Sequence, residues 1–398
     1  MTKPISTRTQ NIAASLTVAI DTMAKQMIAD GKDVVSLGAG EPDFPTPEPI
    51  RAAACKAIND GKTRYTAPVG ILEVREAVAN KLRTENAIDY EPSQIIMTSG
   101  AKHAIFNALA ALINPGDEII IPAPYWVTYP ELVKWLGGTP VIVNTTIESG
   151  FKLSPEALRN ACTDKTKAII LNNPCNPTGA TYTKQELAGL AEVIVEKDIY
   201  CISDEVYEYF VYNTAFCSAA AFPGMPERTI VVNGFSKSHC MTGWRIGYDA
   251  APAPIAKIIG KIQGQATHHP SNVAQYAALA ALQMDRSHVN EMLAAFKRRR
   301  DYMVSQVSEI VPEPVRPPEG AFYLFAPVST FYGKSTPSGK VIGGSVELCS
   351  YLLESEGLAI VPGAAFGDDN CVRFSYAASD KTLQQACERF KRGLQSLK

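Results

Sequence analysis

Residues 168–207 read AIILNNPCNPTGATYTKQELAGLAEVIVEKDIYCISDEVY. The stretch opens on a continuous apolar run, turns through an Asn/Pro/Gly loop, and enters the helix-period segment KQELAGLAEVIVEK. It returns as a second short apolar run that ends on Ser203 and Asp204. Apolar strands without alternation need cover on both faces, and a helix between two of them is the crossover that parallel strands require. This stretch therefore predicts a β-α-β unit with polar groups at its strand ends.

The same alternation extends outward. QIIMT precedes AKHAIFNALAALI, EIIIP precedes YPELVKWLG, and TIVVN follows the central unit. Together these segments predict an α/β protein whose mostly parallel sheet is covered by helices. After Gly260 the pattern changes to long helices ending at 291–310, where the KRRR run at 297–300 reads as a solvated face. From Pro317 onward, AFYLFAP, LAIVP and CVRFSYA are separated by SVELCSYLLES and followed by TLQQACERFKRGL, a second and smaller α+β layer. The first ~45 residues lack a strand pattern long enough for a domain of their own and are expected to join one of the other two.

Composition narrows the function. The 398 residues carry 38 basic and 40 acidic side chains, a formal net charge of −2. Such a balance argues against nucleic acid or an anionic membrane as partner, since both require a positive field. No apolar run reaches the ~18 residues of a membrane span, and the N-terminus lacks a signal-peptide apolar region. Nine cysteines without a CxxC pair read as reduced thiols in a cytoplasmic setting.

In open α/β sheets ligands bind beyond the carboxyl ends of the strands. Five ends stand out: Ser99-Gly100-Ala101-Lys102, Ala123-Pro124-Tyr125-Trp126, Asn173 to Gly179, Ser203 to Tyr207, and Gly234-Phe235-Ser236-Lys237. LGAGEPD lacks the third glycine of a dinucleotide fingerprint; no GxxxxGK[ST], GxSxG or HExxH is present. Lys237 on a tight loop, with Arg245 eight residues on, is what imine chemistry with pyridoxal 5'-phosphate (PLP) requires. The arginine and the amides of the Ser99-Gly100-Ala101 turn suit the phosphate. Asp204 suits a protonated ring nitrogen, Tyr207 and Asn176 the phenolate oxygen, and Trp126 the ring face.

This set resembles the fold-type I aminotransferases, and particularly the class I aspartate aminotransferase family. The resemblance rests on GAGEPDFPTP, TRYTAPVGILEVREAV, SGAKHAI, PAPYWVTYP, NNPCNPTG, SDEVYE, SKSHCMTGWRIGY and CVRFSYA, in family order over residues 36 to 377. It implies the PLP-dependent transferase fold type I. A large domain at 46–287, built on a seven-stranded sheet, would be joined by a smaller α+β domain from 1–45 and 288–398. It implies Lys237 as the catalytic Schiff-base lysine, and Arg245 with the Gly100, Ala101 and Lys102 amides around the phosphate. It further implies Tyr65 reaching the phosphate of a neighbouring subunit, hence a homodimer with shared sites, Arg373 gripping the substrate α-carboxylate, and Gly40 bringing a backbone amide close to the substrate.

Two departures from the family pattern matter. Gly234 and Ala101 stand where hydroxyl residues often contact the phosphate, leaving Ser236 as the nearby hydroxyl. GKIQGQATHHPSN lacks the partner-subunit arginine that reads a distal carboxylate in one branch. The sequence is closer to the branch of bacterial and plant aspartate/prephenate aminotransferases, in which Lys102, Ser15 and Thr17 would read that group. The implied activity is transfer of an amino group from aspartate or glutamate to a 2-oxo acid such as 2-oxoglutarate, with prephenate as a further acceptor. A β-lyase or decarboxylase on the same fold, and a non-enzymatic sensor, are the alternatives. His239 reads as structural, and His268 and His269 as entrance or interface residues.

Overall fold

The computed structural model describes Ser6, Gln10, Ile12, Ala13 and residues 16–398. Its strands are β1 (Val35–Ser36), β2 (Ile95–Thr98), β3 (Glu118–Ala123), β4 (Thr139–Asn144), β5 (Thr166–Asn172), β6 (Tyr200–Asp204) and β7 (Thr229–Gly234). β8 (Gly247–Ala250), β9 (Tyr323–Pro327), β10 (Leu358–Ala359), β11 (Val361–Pro362) and β12 (Cys371–Ser375) follow. The helices that matter here are α1 (Leu16–Ala29), α2 (Glu48–Asn59), α3 (Leu72–Asn86), α4 (Ala101–Leu112), α5 (Thr128–Trp135), α6 (Pro155–Ala161) and α7 (Lys184–Glu196). They continue with α8 (Ala253–Ala266), α9 (Asn272–Gln283), α10 (Ser287–Ser308), α11 (Ser345–Glu356) and α12 (Asp380–Gln395).

The central unit forms as its residues dictate. In β5, Ala168 and Ile170 join the core beneath α4 and α5, whereas Ile169 and Leu171 join the core beneath α7. β6 is apolar and buried through Cys201 and Ile202, and its polar residues Ser203 and Asp204 come at its carboxyl end. α7 starts at Thr183, whose hydroxyl accepts from the Glu186 N–H while the Glu186 carboxylate accepts from the Thr183 N–H. Its Leu187, Leu190, Ala191 and Ile194 repeat at helical spacing on the buried face.

The seven-stranded sheet runs β2-β8-β7-β6-β5-β3-β4. All its neighbours are parallel except β8, which is antiparallel to both β2 and β7. Because β8 alone reverses, the carboxyl ends of β2, β3, β5, β6 and β7 share one edge, joined there by Gly247 at the start of β8. A three-stranded antiparallel sheet, β11-β12-β9, packs with α10, α11 and α12 around a second core. The N-terminal segment joins this layer: β1 pairs with β10, and Ala24 of α1 packs on Leu353 and Ala359. The expected boundary at 287/288 falls in the first turn of α10. Among the described residues no helix is long and apolar enough to cross a membrane.

One expectation fails here. The KRRR run is not a solvated face throughout: Lys297 and Arg298 are exposed, but Arg299 and Arg300 are buried. Consecutive helical positions turn by about 100°, so the run spans both faces of α10. Arg299 pairs with Asp43, and Arg300 lies 4.6 Å from the Tyr212 ring centre. Arg299 thus takes its partner from a distant segment that a helix-local reading does not include, whereas Arg300 donates through Nε and Nη2 to Asp301 of its own helix at 2.8 and 2.6 Å.

Candidate active site

The shared strand edge, the N-terminal segment and β12 enclose a cleft of about 460 Å³. Gly40, Ala101, Lys102, Trp126, Asn176, Asp204, Tyr207, Ser236, Lys237, Arg245, Arg373 and Thr17 all line it. Ser15 lies outside the described residues. Tyr65 lies outside this cleft: it is 87% exposed, with the His268 and His269 rings centred 5.1 and 5.8 Å away.

Asp204 is buried, and desolvation pushes its carboxyl up to about 6, against the Tyr129 hydroxyl, the Val206 N–H and the Lys237 charge. Tyr129 donates to Oδ2 at 2.6 Å. The backbone carbonyl of Asp204 accepts from the Asn173 N–H at 3.0 Å and from Asn172 Nδ2 at 3.1 Å, locking the NNPCNPTG loop to the end of β6. Lys237 is partly buried and donates to the Gly40 carbonyl. Burial pushes its amine down to about 8; Glu41 opposes this, and the Arg373 and Arg245 charges reinforce it. An amine so placed is neutral and nucleophilic in about a tenth of molecules at pH 7, far more than an ordinary lysine.

Arg373 is buried at 4% exposure, with the Tyr323 and Phe366 ring centres 4.6 and 4.9 Å away. Nη1 donates to Asn176 Oδ1 at 2.9 Å and Nη2 to the Gly38 carbonyl at 2.7 Å. Nε is buried without a partner, and among the described residues no carboxylate pairs with the guanidinium. A desolvated cation without a counter-charge is costly, and an incoming carboxylate would relieve that cost. The Asn176 contact leaves its Nδ2 as the free donor. Tyr207 and Tyr323 share a hydroxyl hydrogen bond of 2.8 Å. A Cβ on Gly40 would lie 2.5 Å from the Tyr323 hydroxyl, so glycine is what lets this segment approach.

The turn from β2 into α4 corrects one expectation. The Gly100 N–H already donates to the Thr98 carbonyl at 2.8 Å, because the turn folds back on the strand end. Of the three amides expected to face an anion, those of Ala101 and Lys102 remain uncommitted. Gly100 serves by its conformation: at φ 85° it brings the turn so close to Arg245 that a Cβ would lie 2.6 Å from Nη2. Arg245 itself adopts φ 52°, an uncommon left-handed conformation held by Nη1 donating to the Thr242 carbonyl at 2.8 Å. A Cβ on Gly234 would press on Gly247 Cα at 3.1 Å and the Ile246 carbonyl at 3.2 Å. A hydroxyl side chain there would have to shift β8, and Ser236 on the cleft wall is the available hydroxyl.

Lys102 is exposed at the cleft mouth, with its ammonium 4.9 Å from the Trp126 ring centre. His239 is buried against Ser238 and His288 and takes no part in the cleft. Sequence reasoning missed Tyr129 and Tyr323. Both stand inside quoted segments, PAPYWVTYP and AFYLF, but only packing shows their hydroxyls turned toward Asp204 and Tyr207.

The cleft thus combines an uncommitted anion-binding turn beside an arginine, a buried carboxylate, an amine with lowered affinity for its proton, and a buried unpaired guanidinium. These donors fit a phosphate-bearing heteroaromatic aldehyde together with a carboxylate substrate. The chain is 46% identical over 383 residues to the aspartate/prephenate aminotransferase of Cereibacter sphaeroides, covering 96% of each chain. It is 43% identical to the aspartate aminotransferase of Bacillus subtilis, covering 98% of each. Among solved structures, the aspartate aminotransferase of Rhizobium meliloti superposes with a TM-score of 0.96 at 40% identity and complete coverage of both chains. That of Thermus thermophilus with maleate gives 0.93 at 41% identity, covering 98% of this chain and 100% of the other. The model for the aminotransferases of class I and II matches residues 32–390, and the chain belongs to that family.

Proposed function

We propose that this chain moves the amino group of L-aspartate or L-glutamate to a 2-oxo acid such as 2-oxoglutarate by a ping-pong route with pyridoxal 5'-phosphate, and that prephenate is a further acceptor. The observation that carries the reading is the convergence of Lys237, Asp204 and the unpaired Arg373 on one cleft. When bound, pyridoxal phosphate supplies an aldehyde carbon that takes the amino group and a ring that takes up electrons from the substrate α-carbon. Asp204 would hold the ring nitrogen, Tyr207 and Asn176 the phenolate oxygen, and Trp126 the ring face. Arg245, the Ala101 and Lys102 amides and the Ser236 hydroxyl would hold the phosphate.

Arg373 would fork the substrate α-carboxylate and so orient the Cα–H bond. Lys237 Nζ would take the Cα proton and return it at the other end of the exchanging system. Lys102, with Thr17 and Ser15, would read a distal carboxylate. The names of the Cereibacter sphaeroides relative and of a 45% identical Aquifex aeolicus relative, a probable aspartate/prephenate aminotransferase, support prephenate as acceptor. Two lobes, 46–287 and the combined 1–45 and 288–398, would close on the substrate. The exposure of Tyr65 away from its own cleft supports a homodimer in which it serves the other copy's phosphate.

The test is direct. Protein purified with pyridoxal phosphate is expected to be yellow, with a visible band that shifts on adding L-aspartate. A panel of 2-oxoglutarate, oxaloacetate, phenylpyruvate and prephenate then ranks the acceptors. Lys237→Ala is expected to abolish turnover; a turning-over Lys237→Ala protein would refute the assignment.

A further inference from the structure

Residues 37–46 cross the mouth of the cleft without regular structure. Leu37 is tied at one end, donating to the Ala359 carbonyl and accepting from the Ser375 N–H, both at 2.8 Å. Thr46 is tied at the other, where its hydroxyl donates to the Cys240 carbonyl at 2.6 Å and accepts from Trp244 Nε1 at 3.1 Å. Between these ends no backbone-to-backbone hydrogen bond holds the strap among the described residues. Beyond the local contact of the Gly38 N–H with Ser36 Oγ at 3.4 Å, four side chains from distant elements hold it. Arg373 binds the Gly38 carbonyl, Lys237 the Gly40 carbonyl, Thr242 the Glu41 carboxylate, and Arg299 the Asp43 carboxylate.

These four holds are not equivalent. Those of Arg373 and Lys237 use the groups that the proposed reaction needs for the substrate carboxylate and proton, so a bound substrate competes with them. The Thr242–Glu41 contact joins a half-buried hydroxyl to an exposed carboxylate. The Asp43–Arg299 contact differs in kind. Arg299 Nη1 and Nη2 donate to the two Asp43 oxygens at 2.8 and 2.9 Å, a parallel fork. Its side chain is 9% exposed and its guanidinium lies 5.6 and 5.9 Å from the Phe44 and Phe296 ring centres. Nε donates to Asp380 at 3.1 Å, fastening the arginine to the start of α12.

We propose that Asp43 and Arg299 are the positioning pair of this strap: a fork between a buried arginine and a partly exposed aspartate, clear of the reacting groups, that keeps Gly38 and Gly40 in place while Arg373 and Lys237 turn to the substrate. This rests on reading the cleft as an aminotransferase site. The pair touches no reacting atom, so its effect falls on substrate binding.

Asp43→Asn keeps the shape and removes the charge; Arg299→Lys keeps the charge and removes the fork. For each, KM for L-aspartate is expected to rise about tenfold, the effect of one charge-assisted hydrogen bond, with a smaller change in kcat. The cofactor's visible spectrum and dissociation constant are expected to stay as in the unmodified protein, and Asp43→Glu to recover part of the KM. The double variant is expected to lose less than the product of the single losses. In cofactor-free protein, hydrogen exchange of the Leu37 and Ser375 amides, the hydrogen-bonded N–H groups at the strap's end, is expected to accelerate in both variants and not in Arg298→Ala, which lacks the Asp43 contact. Unchanged KM and exchange in Asp43→Asn would overturn the proposal. So would parallel losses in KM, kcat and cofactor affinity that track stability, because those mark a merely structural pair. If the unmodified protein transfers no amino group, the functional reading fails separately, and the exchange experiment still decides whether the pair holds the strap.

Discussion

Replacing Tyr129 by phenylalanine tests how the Asp204 carboxylate is kept usable in a buried site. The ring of Tyr129 is buried, so the substitution removes one hydroxyl and leaves the packing intact. That hydroxyl donates to Asp204 Oδ2 at 2.6 Å, a hydrogen bond to a charged group worth about 1.5–3 kcal/mol. Asp204 already titrates near 6 rather than at its ordinary 3.8 because burial disfavours its charge. A carboxyl whose folded value lies above the unfolded one binds protons more tightly in the fold, so stability falls as pH rises between those two values. For Asp204 the window runs from about 4 to 6 and the loss is about 3 kcal/mol. Without the tyrosine donor, the folded value is expected to rise by a further 1–2 units or so, extending the window to about pH 7–8. Denaturant unfolding of cofactor-free protein at a series of pH values measures this. The stability gap between Tyr129→Phe and the unmodified chain is expected to widen by about 1.5–3 kcal/mol between pH 4 and 8, and to vanish in an Asp204→Asn background. A gap independent of pH would refute the electrostatic role and leave Tyr129 as packing alone.

Lys102→Ala is expected to raise KM for dicarboxylic donors by about tenfold or more while sparing monocarboxylic ones, and steady-state kinetics with both classes decides it. Equal losses would remove Lys102 from distal recognition. Gly247→Ala places a Cβ 2.7 Å from the Ala101 nitrogen and 2.9 Å from the Asn233 carbonyl, both backbone, so the turn opening α4 must move. A loss of about 1–3 kcal/mol in stability and weaker cofactor binding are expected from calorimetry and absorbance titration; unchanged affinity would show that the turn does not hold the phosphate.

The strands and the edge they share were legible because their signals are local. Ala168 to Leu171 must be covered on both sides wherever they lie, and the Asn, Pro and Gly of NNPCNPTG mark the turn that ends the run. β8 was less legible: GYDA is four residues long, has no crossover helix of its own, and reverses the sheet's direction. Lys237, Asp204, Arg245 and Arg373 stood out as residue types beside strand ends or in recognisable segments. The amino-acid sequence by itself therefore determined the α/β architecture and the chemistry available at its rim.

Only the tertiary structure decided what each of those groups is bonded to. That Tyr129 serves Asp204, that the Gly100 amide is spent on Thr98, that Arg373 is left without a counter-charge, and that Arg299 is buried against Asp43 are all outcomes of packing. The reason is one of range. Hydrophobic periodicity acts over a few residues, whereas a buried polar group takes its partner from whichever segment the fold brings within about 3 Å. For Arg299 and Arg373 those segments lie hundreds of positions away along the chain, and local pattern holds no record of them.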